Sequence, residues 1–581
     1  MSSYRPSTLL RATLSLPKGR RPVVNAAEGR NPPKAGVTSA YNPPNAETMM
    51  PTRIARLIPA LLVTVMGASV ATRQLPPGFV DPMPVLDAAA KAIGTANLRC
   101  VTISGTAYAG AVGQQRESAR NVDWPRIEAL ANYTRTMDWE RGSMKEEFDR
   151  KPGLNPAAWK YGVRWIDGPL QQQPHQIFTV RDNLAWHMDG AGTAPVASTP
   201  DLAEIYQLDM WLNPHGFLKA ARLPGANPKA TWRWELGEMG RDGPEVRPER
   251  VTVVSITVNG KFRVDATINQ EHLLQRIHTW VADPVLGDMN YEHEFTNASY
   301  VDLGSGIRFP TEWHSHQGWD DNYGMQAASA GHNAFGGSLK DIKANQCPGT
   351  VEVPESVRRA TFPVRVESTR LADGVYLLGG GTHNSMAIEF RDFIAVFEAP
   401  LNEDRSLAVI EEVVRLMPGK PIRWLINSHQ HFDHAGGLRT YMHIGATIVT
   451  HVRNFEFYVR DVLNYTPRTL KPDMVSLWPP TELAEGYFYE AIRENFIISD
   501  GTRNLNIHYV NPLDHVDGML IAWLPRERLL FEADLVDTTQ PRSAAPTSDQ
   551  RSFFNAVKKL GLEPWQIVPV HGRPVPWADL Q

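Results

Sequence analysis

The spacing of apolar residues divides the chain into three stretches. Residues 1–48 are rich in Pro, Ser, Arg and Asn and show no apolar period, so they bury too little surface to offset the entropy of ordering. An apolar run from Leu57 to Val70 follows Arg53 and Arg56 and exits through Ser69, Val70 and Ala71. Basic, apolar and small-residue regions in that order describe a secretory signal peptide over residues 49–71, too short to persist as a membrane span. Met49 or Met50 is the expected initiator, which makes the preceding leader a gene-start artefact.

From Asp81 to about Gln346 the period switches between helix and strand. Residues 85–98 read as an amphipathic helix. Alternating segments follow at 100–105, 131–138, 176–180, 250–258, 261–269, 274–282 and 291–303, with Asn259-Gly260 placed as a hairpin turn. Helical segments at 199–213 and 214–221 are interleaved. An antiparallel α+β domain, half-barrel-like, is the expectation for residues 72–321. Residues 322–354 are aperiodic and rich in Gly, Ala, Ser and Asn, and a linker is expected over 322–362.

The remainder, 363–581, reads as strands at 374–378, 385–390 and 394–397, a helix at 405–416, and then strand, helix, strand, helix. An irregular insertion at 465–489 precedes hairpin strands at 496–498, 505–510, 519–524 and 528–531, a helix at 548–560 and a strand at 567–570. Strand–strand–helix units used twice predict an α/β sandwich of two sheets with helices outside.

A chain of 581 residues exceeds one core. Its net charge of −4 gives no general case for a nucleic-acid partner. The two cysteines, Cys100 and Cys347, lack metal-site spacing and are read as unrelated thiols, with one long-range disulfide as the alternative in an exported protein.

The chemistry concentrates between Asn427 and Gly437, in Asn-Ser-His-Gln-His-Phe-Asp-His-Ala-Gly-Gly. This stretch follows the apolar run Ile422 to Ile426, so four metal-competent side chains crowd the mouth of a strand. Alternate residues of an extended loop point to one side, which lets His429 and His431 share one ion. Asp433 and His434 stand at the turn into a helix and suit a second. Imidazole and carboxylate suit zinc, and iron and manganese accept the same set. Gly436 and Gly437 allow close packing behind the ligands.

This His-x-His-x-Asp-His run after a strand resembles the signature of the metallo-β-lactamase superfamily of hydrolases, over roughly Leu371 to the C-terminus. The resemblance implies the family's αββα sandwich in the C-terminal catalytic domain. It also implies three further ligands: His515 in Pro-Leu-Asp-His-Val-Asp-Gly, Asp534 in Phe-Glu-Ala-Asp-Leu, and His571 in Val-Pro-Val-His-Gly. By that likeness His429, His431 and His515 hold one ion, Asp433, His434 and His571 hold another, and Asp534 bridges two zinc ions. A hydroxide shared by the ions attacks an ester, lactone, thioester or phosphodiester, with Asp433 as the catalytic residue that orients it. Asp534 resembles thioesterases, lactonases and phosphodiesterases; true metallo-β-lactamases usually place Cys or Ser there.

Glu398-Ala399-Pro400 replaces the family's Asp-Thr-Gly, with Glu398 standing in for the aspartate. His383, His451 and Asp517 are read as structural. The run from Gly304 to Trp313 resembles the N-terminal region of some exported members. A small-molecule substrate and an exported location, periplasmic or secreted, are implied. Two rivals are carried forward: a mononuclear iron sulfur dioxygenase of the same fold, and a binding protein whose N-terminal domain holds an apolar ligand.

Overall fold

Alternating strands dominate residues 79–344, and in the computed structural model they pair into one sheet of fourteen strands, every neighbouring pair antiparallel. The structure describes residues 78–120, 124–152, 175–188, 194–236, 248–319, 333–480, 486–539 and 545–580. The expected leader and signal segment lie outside these. Residues 75–581 form one compact unit.

The apolar face of the sheet packs on three helices. Pro82–Ile93 is started by Asp81, whose side chain accepts from the Met83 backbone, and stopped by Gly94 in the left-handed conformation. Pro200–Asp209 and Pro214–Ala220 likewise begin with Pro after Thr199 and Asn213 caps. Buried Leu86, Leu208 and Phe217 join Val254, Ile277 and Tyr291 of the sheet in one core. The antiparallel α+β expectation holds.

The linker expectation does not hold throughout. Asn333–Ala344 is a twelve-residue strand that lies between Glu312–Gly318 and Cys100–Gly110. Its glycines hid it, and they are there for packing. A Cβ on Gly336 would run into the Tyr108 ring and one on Gly337 into the Trp313 ring. The same strand overturns the reading of the cysteines. Ala344 pairs with Val101, which carries Cys347 to Cys100, and the two are disulfide-bonded with Cα atoms 5.5 Å apart.

The C-terminal region is the expected αββα sandwich. A seven-stranded sheet (Glu367–Ala372, Val375–Gly379, Ser385–Glu389, Ile394–Phe397, Ile422–Ile426, Thr447–His451 and Tyr489–Ile492) faces a six-stranded one that starts at Asn495–Ser499 and ends at Val575–Pro576. Between them lie Leu377, Met386, Phe397 and Ile426 from one sheet and Ile507, Leu520, Phe531 and Val568 from the other. Full burial of each such side chain contributes about 1.5–3 kcal/mol. Glu403–Leu416 covers the first sheet with Val409 and Val413, and Ser548–Lys559 covers the second with Phe553 and Val557.

The N-terminal sheet and the sandwich share their core: Leu86 and Tyr291 belong to the same apolar cluster as Phe432 and Tyr441. The chain leaving Cys100–Gly110 crosses the loop after Ile422–Ile426. Phe432 N donates to Gly113 O at 3.3 Å, and Asp517 N donates to Arg116 O at 2.9 Å. The insertion at 465–489 reaches back to the sheet, where Arg468 donates to Val285 O at 2.9 Å and Thr469 N to Asp288. Among the described residues no helix is long and apolar enough to cross a membrane.

Candidate metal centre

The other six residues singled out in the sequence gather around the seventh, the carboxylate of Asp534. Its Oδ2 lies 3.0 Å from His515 Nε2, 3.3 Å from His434 Nε2 and 3.5 Å from His429 Nε2. Its Oδ1 lies 2.9 Å from His571 Nε2. His431 Nδ1 sits 3.0 Å from His429 Nε2, and Asp433 Oδ2 sits 3.7 Å from His434 Nε2. Two donor groups result, His429–His431–His515–Asp534 and His383–Asp433–His434–His571, each compact enough to surround an ion.

The backbone explains the convergence. Ile422–Ile426 ends at the rim of the sheet and releases an extended segment that turns at Phe432–Ala435. Behind it the main chain packs hard against its neighbours. A Cβ on Gly436 would overlap the Leu401 carbonyl and one on Gly437 the Ser406 hydroxyl. Asp534 follows Leu529–Glu532 with φ at 63°, the left-handed region, and His571 follows Gln566–Pro569.

Four of the imidazoles, those of His429, His431, His434 and His571, are anchored through the nitrogen that faces away from the cluster, as ligating histidines usually are. His434 Nδ1 donates to Glu398 Oε2 at 2.7 Å, and Glu398 also accepts from Ser428 N at 2.5 Å. Glu398 thus takes the place foreseen for it. His571 Nδ1 donates to Thr382 O at 3.1 Å, and His429 Nδ1 lies 2.8 Å from Ser428 Oγ. His431 Nε2 donates to Gln115 O at 3.2 Å, a carbonyl from the N-terminal half of the chain.

The electrostatics ask for a cation. Burial, then the positive field of His434, pulls His429 down to about 3, and burial with His429 and His515 beside it holds His431 well below the usual range. Both are therefore neutral, the form that binds metals. Burial would raise the carboxyls of Asp433 and Asp534, but neighbouring imidazoles, His434 foremost, override it and hold both well below the usual range. Burial would lower His434, yet Asp534 and Asp433 raise it well above an ordinary imidazole. His434 Nε2 and Asp534 Oδ1 are buried and make no hydrogen bond of good geometry among the described residues. Neutral His429 and His431 and ionised Asp433 and Asp534 fit a divalent metal ion, which would take the place of the proton on His434.

Sequence reading passed over three contributors. His383, read as structural, lies with its Nε2 3.2 Å from Asp433 Oδ2 and its ring centroid 4.2 Å from that of His571. Burial and His571 push it down to about 4. Gln114 Nε2 donates to Asp433 Oδ1 at 2.7 Å, and Gln115 holds His431 as described. No local pattern marks these two, because only the tertiary fold brings residues 114 and 433 together. His451 and Asp517 keep their structural reading: His451 donates to Arg493 O at 2.7 Å and stacks on Tyr509, whose hydroxyl donates to Asp517 at 2.9 Å. Solvent reaches the centre at Asp433 and His515, whose side chains are 14% and 11% exposed; those of His429 and His434 are 0% exposed.

Residues 371–571 match the family model of the metallo-beta-lactamase superfamily. No curated protein matches the sequence. Among solved structures, a metallo-beta-lactamase from Pontibacter korlensis is similar at 16% identity and a TM-score of 0.29, over 37% of this chain and 95% of that one. A metallo-beta-lactamase from Hirschia baltica is similar at 18% identity and a TM-score of 0.27, over 37% and 94%. The mono-zinc form of FIM-1 from Pseudomonas aeruginosa is similar at 17% identity and a TM-score of 0.28, over 37% and 92%.

Proposed function

We propose that the protein, whose C-terminal region matches the metallo-β-lactamase superfamily, is an exported hydrolase that holds two zinc ions and cleaves an ester, lactone, thioester or phosphodiester in a small molecule. One observation carries the reading. Asp534 presents one oxygen to His429 and His515 and the other to His571, so two donor groups are joined through a single carboxylate. His429, His431, His515 and Asp534 would hold one ion, and Asp433, His434, His571 and Asp534 the other. Two such ions supply the charge that makes water acidic near neutral pH and polarises the scissile bond.

The chain's own groups do the rest. Gln114 pins Oδ1 of Asp433 and His383 faces Oδ2, so this carboxylate is fixed in direction where solvent enters. Ionised Asp433 accepts the proton of the attacking water and returns it to the leaving group. Glu398, Thr382, Ser428 and Gln115 keep the imidazoles aimed inward. The Cys100–Cys347 disulfide supports an oxidising compartment, hence export. Two intact donor groups weigh against a single-iron dioxygenase.

The test is metal content per chain beside turnover of lactones, thioesters and phosphodiesters, for the parent, His431→Ala and Asp534→Ala. Zinc at this centre falling in both variants, together with a hydrolytic turnover that both lose, supports the reading. Iron alone with sulfur oxidation, or full hydrolysis in the metal-free parent, overturns it.

A further inference from the structure

A second set of metal-competent side chains lies on the N-terminal sheet, in strands that carry none of the residues of the Asp534 centre. Gly287–Phe295 and Glu312–Gly318 pair antiparallel with Glu294 opposite His314 and Glu292 opposite His316. Residues two apart on a strand share a face, so two carboxylates and two imidazoles form a block on one side of the sheet. His314 Nε2 is 2.7 Å from Glu294 Oε2, and His316 Nε2 is 3.7 Å from the same oxygen. The two rings stand 4.9 Å apart at 77°. One ligand atom from each of Glu294, His314 and His316 lies within 4.8 Å of the others.

A tetrahedral ion with bonds of about 2.0–2.1 Å separates its ligand atoms by about 3.3 Å, and the two measured contacts bracket that length. One ion between the three would draw on all of them at once, Glu294 through the oxygen that faces both rings. The side chains of His316 and Glu294 are 7% and 18% exposed, and that of His314, at 36%, borders a cleft of about 490 Å³ with Tyr108, Glu312 and Gly336. Three protein ligands with an approach from a cleft leave one coordination position open.

We propose that Glu294, His314 and His316 form a metal site separate from the Asp534 centre, one that takes a divalent transition ion of the zinc class. The ion would tie Gly287–Phe295 to Glu312–Gly318. The proposal stands whether or not the hydrolase reading does.

The experiment loads the full chain with Zn²⁺, removes the excess and measures zinc per chain in the parent, Glu294→Gln and His316→Ala, and again with each change added to His431→Ala/Asp534→Ala. Far-UV circular dichroism and thermal melting in EDTA confirm that each variant folds, and the near-isosteric Glu294→Gln guards against a packing defect. Loss of one equivalent in both single variants is expected. Zinc retained by His431→Ala/Asp534→Ala should be lost when His316→Ala is added. A parent that binds one equivalent, lost with Glu294→Gln and with His316→Ala but kept in His431→Ala/Asp534→Ala, would sustain this site and sink the Asp534 centre. Equal zinc in the folded variants and their parents overturns the proposal.

Discussion

Gln114 and Asp433 are 319 residues apart in sequence and joined by a hydrogen bond of 2.7 Å. The catalytic carboxylate proposed for one half of the molecule is therefore aimed by a side chain from the other. Gln114→Ala should lower kcat/KM by about 10–100-fold, the usual cost of removing a group that orients a ligand. Zinc per chain should stay as in the parent, because Gln114 is not a ligand; a parallel loss of metal would refute the positioning role.

Glu398 is fully buried, and its two oxygens address His434 Nδ1 and the Ser428 backbone. Glu398→Gln keeps the volume and removes the charge that holds His434 in one tautomer. Affinity of the proposed centre for added zinc should fall about 10–100-fold, read by competition with a chromophoric chelator. Unchanged affinity would show that His434 is aimed by packing alone.

A fragment of residues 363–581 should be inactive and prone to aggregate. It lacks the Gln115 carbonyl that anchors His431 and uncovers Phe432, whose ring packs edge-on against Trp124. Soluble fragment with parental turnover would contradict this, and light scattering beside an activity assay decides it.

Asp473 of the insertion pairs at 2.5 Å with Arg439 of the helix Leu438–His443, and both side chains are almost wholly buried. Burial would raise its pKa, but Arg439 and Arg468 hold it at about 2, below the ordinary 3.8. Because the folded-state pKa is depressed, the contribution is full above 3.8 and fades as pH falls through about 2. It amounts to on the order of 2 kcal/mol. Asp473→Asn should destabilise by about 3–5 kcal/mol near neutral pH, since it strands a buried guanidinium. The variant's stability should also depend less on pH between 4 and 2 than the parent's, as denaturant melts would show.

Much of this was legible in the sequence for a physical reason. Asp534 and the six residues around it belong to short motifs at strand ends, and local spacing constrains where such motifs point. Ile422–Ile426 and Met519–Leu524 appear with the bounds read from their apolar runs. The strand Ser143–Pro152 escaped notice because its run of charged residues breaks the alternation that announces a strand, whereas Lys229–Leu236 does alternate and could have been read. Asn333–Ala344 escaped because glycines beneath Tyr108 and Trp313 imitate a linker. His383, Gln114 and Gln115 act through partners far along the chain, and no local pattern encodes such distances.

The place of Asn333–Ala344 in the sheet also sets a timetable for synthesis. Strands from Cys100 to Ala197 form one wing, those from Lys229 to Gly318 with Phe79–Val80 at their outer edge form the other, and this late strand joins them. Until residue 344 has been made, Cys100–Gly110 has one open edge, and until residue 347 Cys100 has no sulfur to pair with. A nascent chain thus carries an unclosed sheet for more than two hundred residues, and such edges invite aggregation. Crossing a membrane unfolded and closing the sheet on the far side, where thiols oxidise, would spare the cell that exposure.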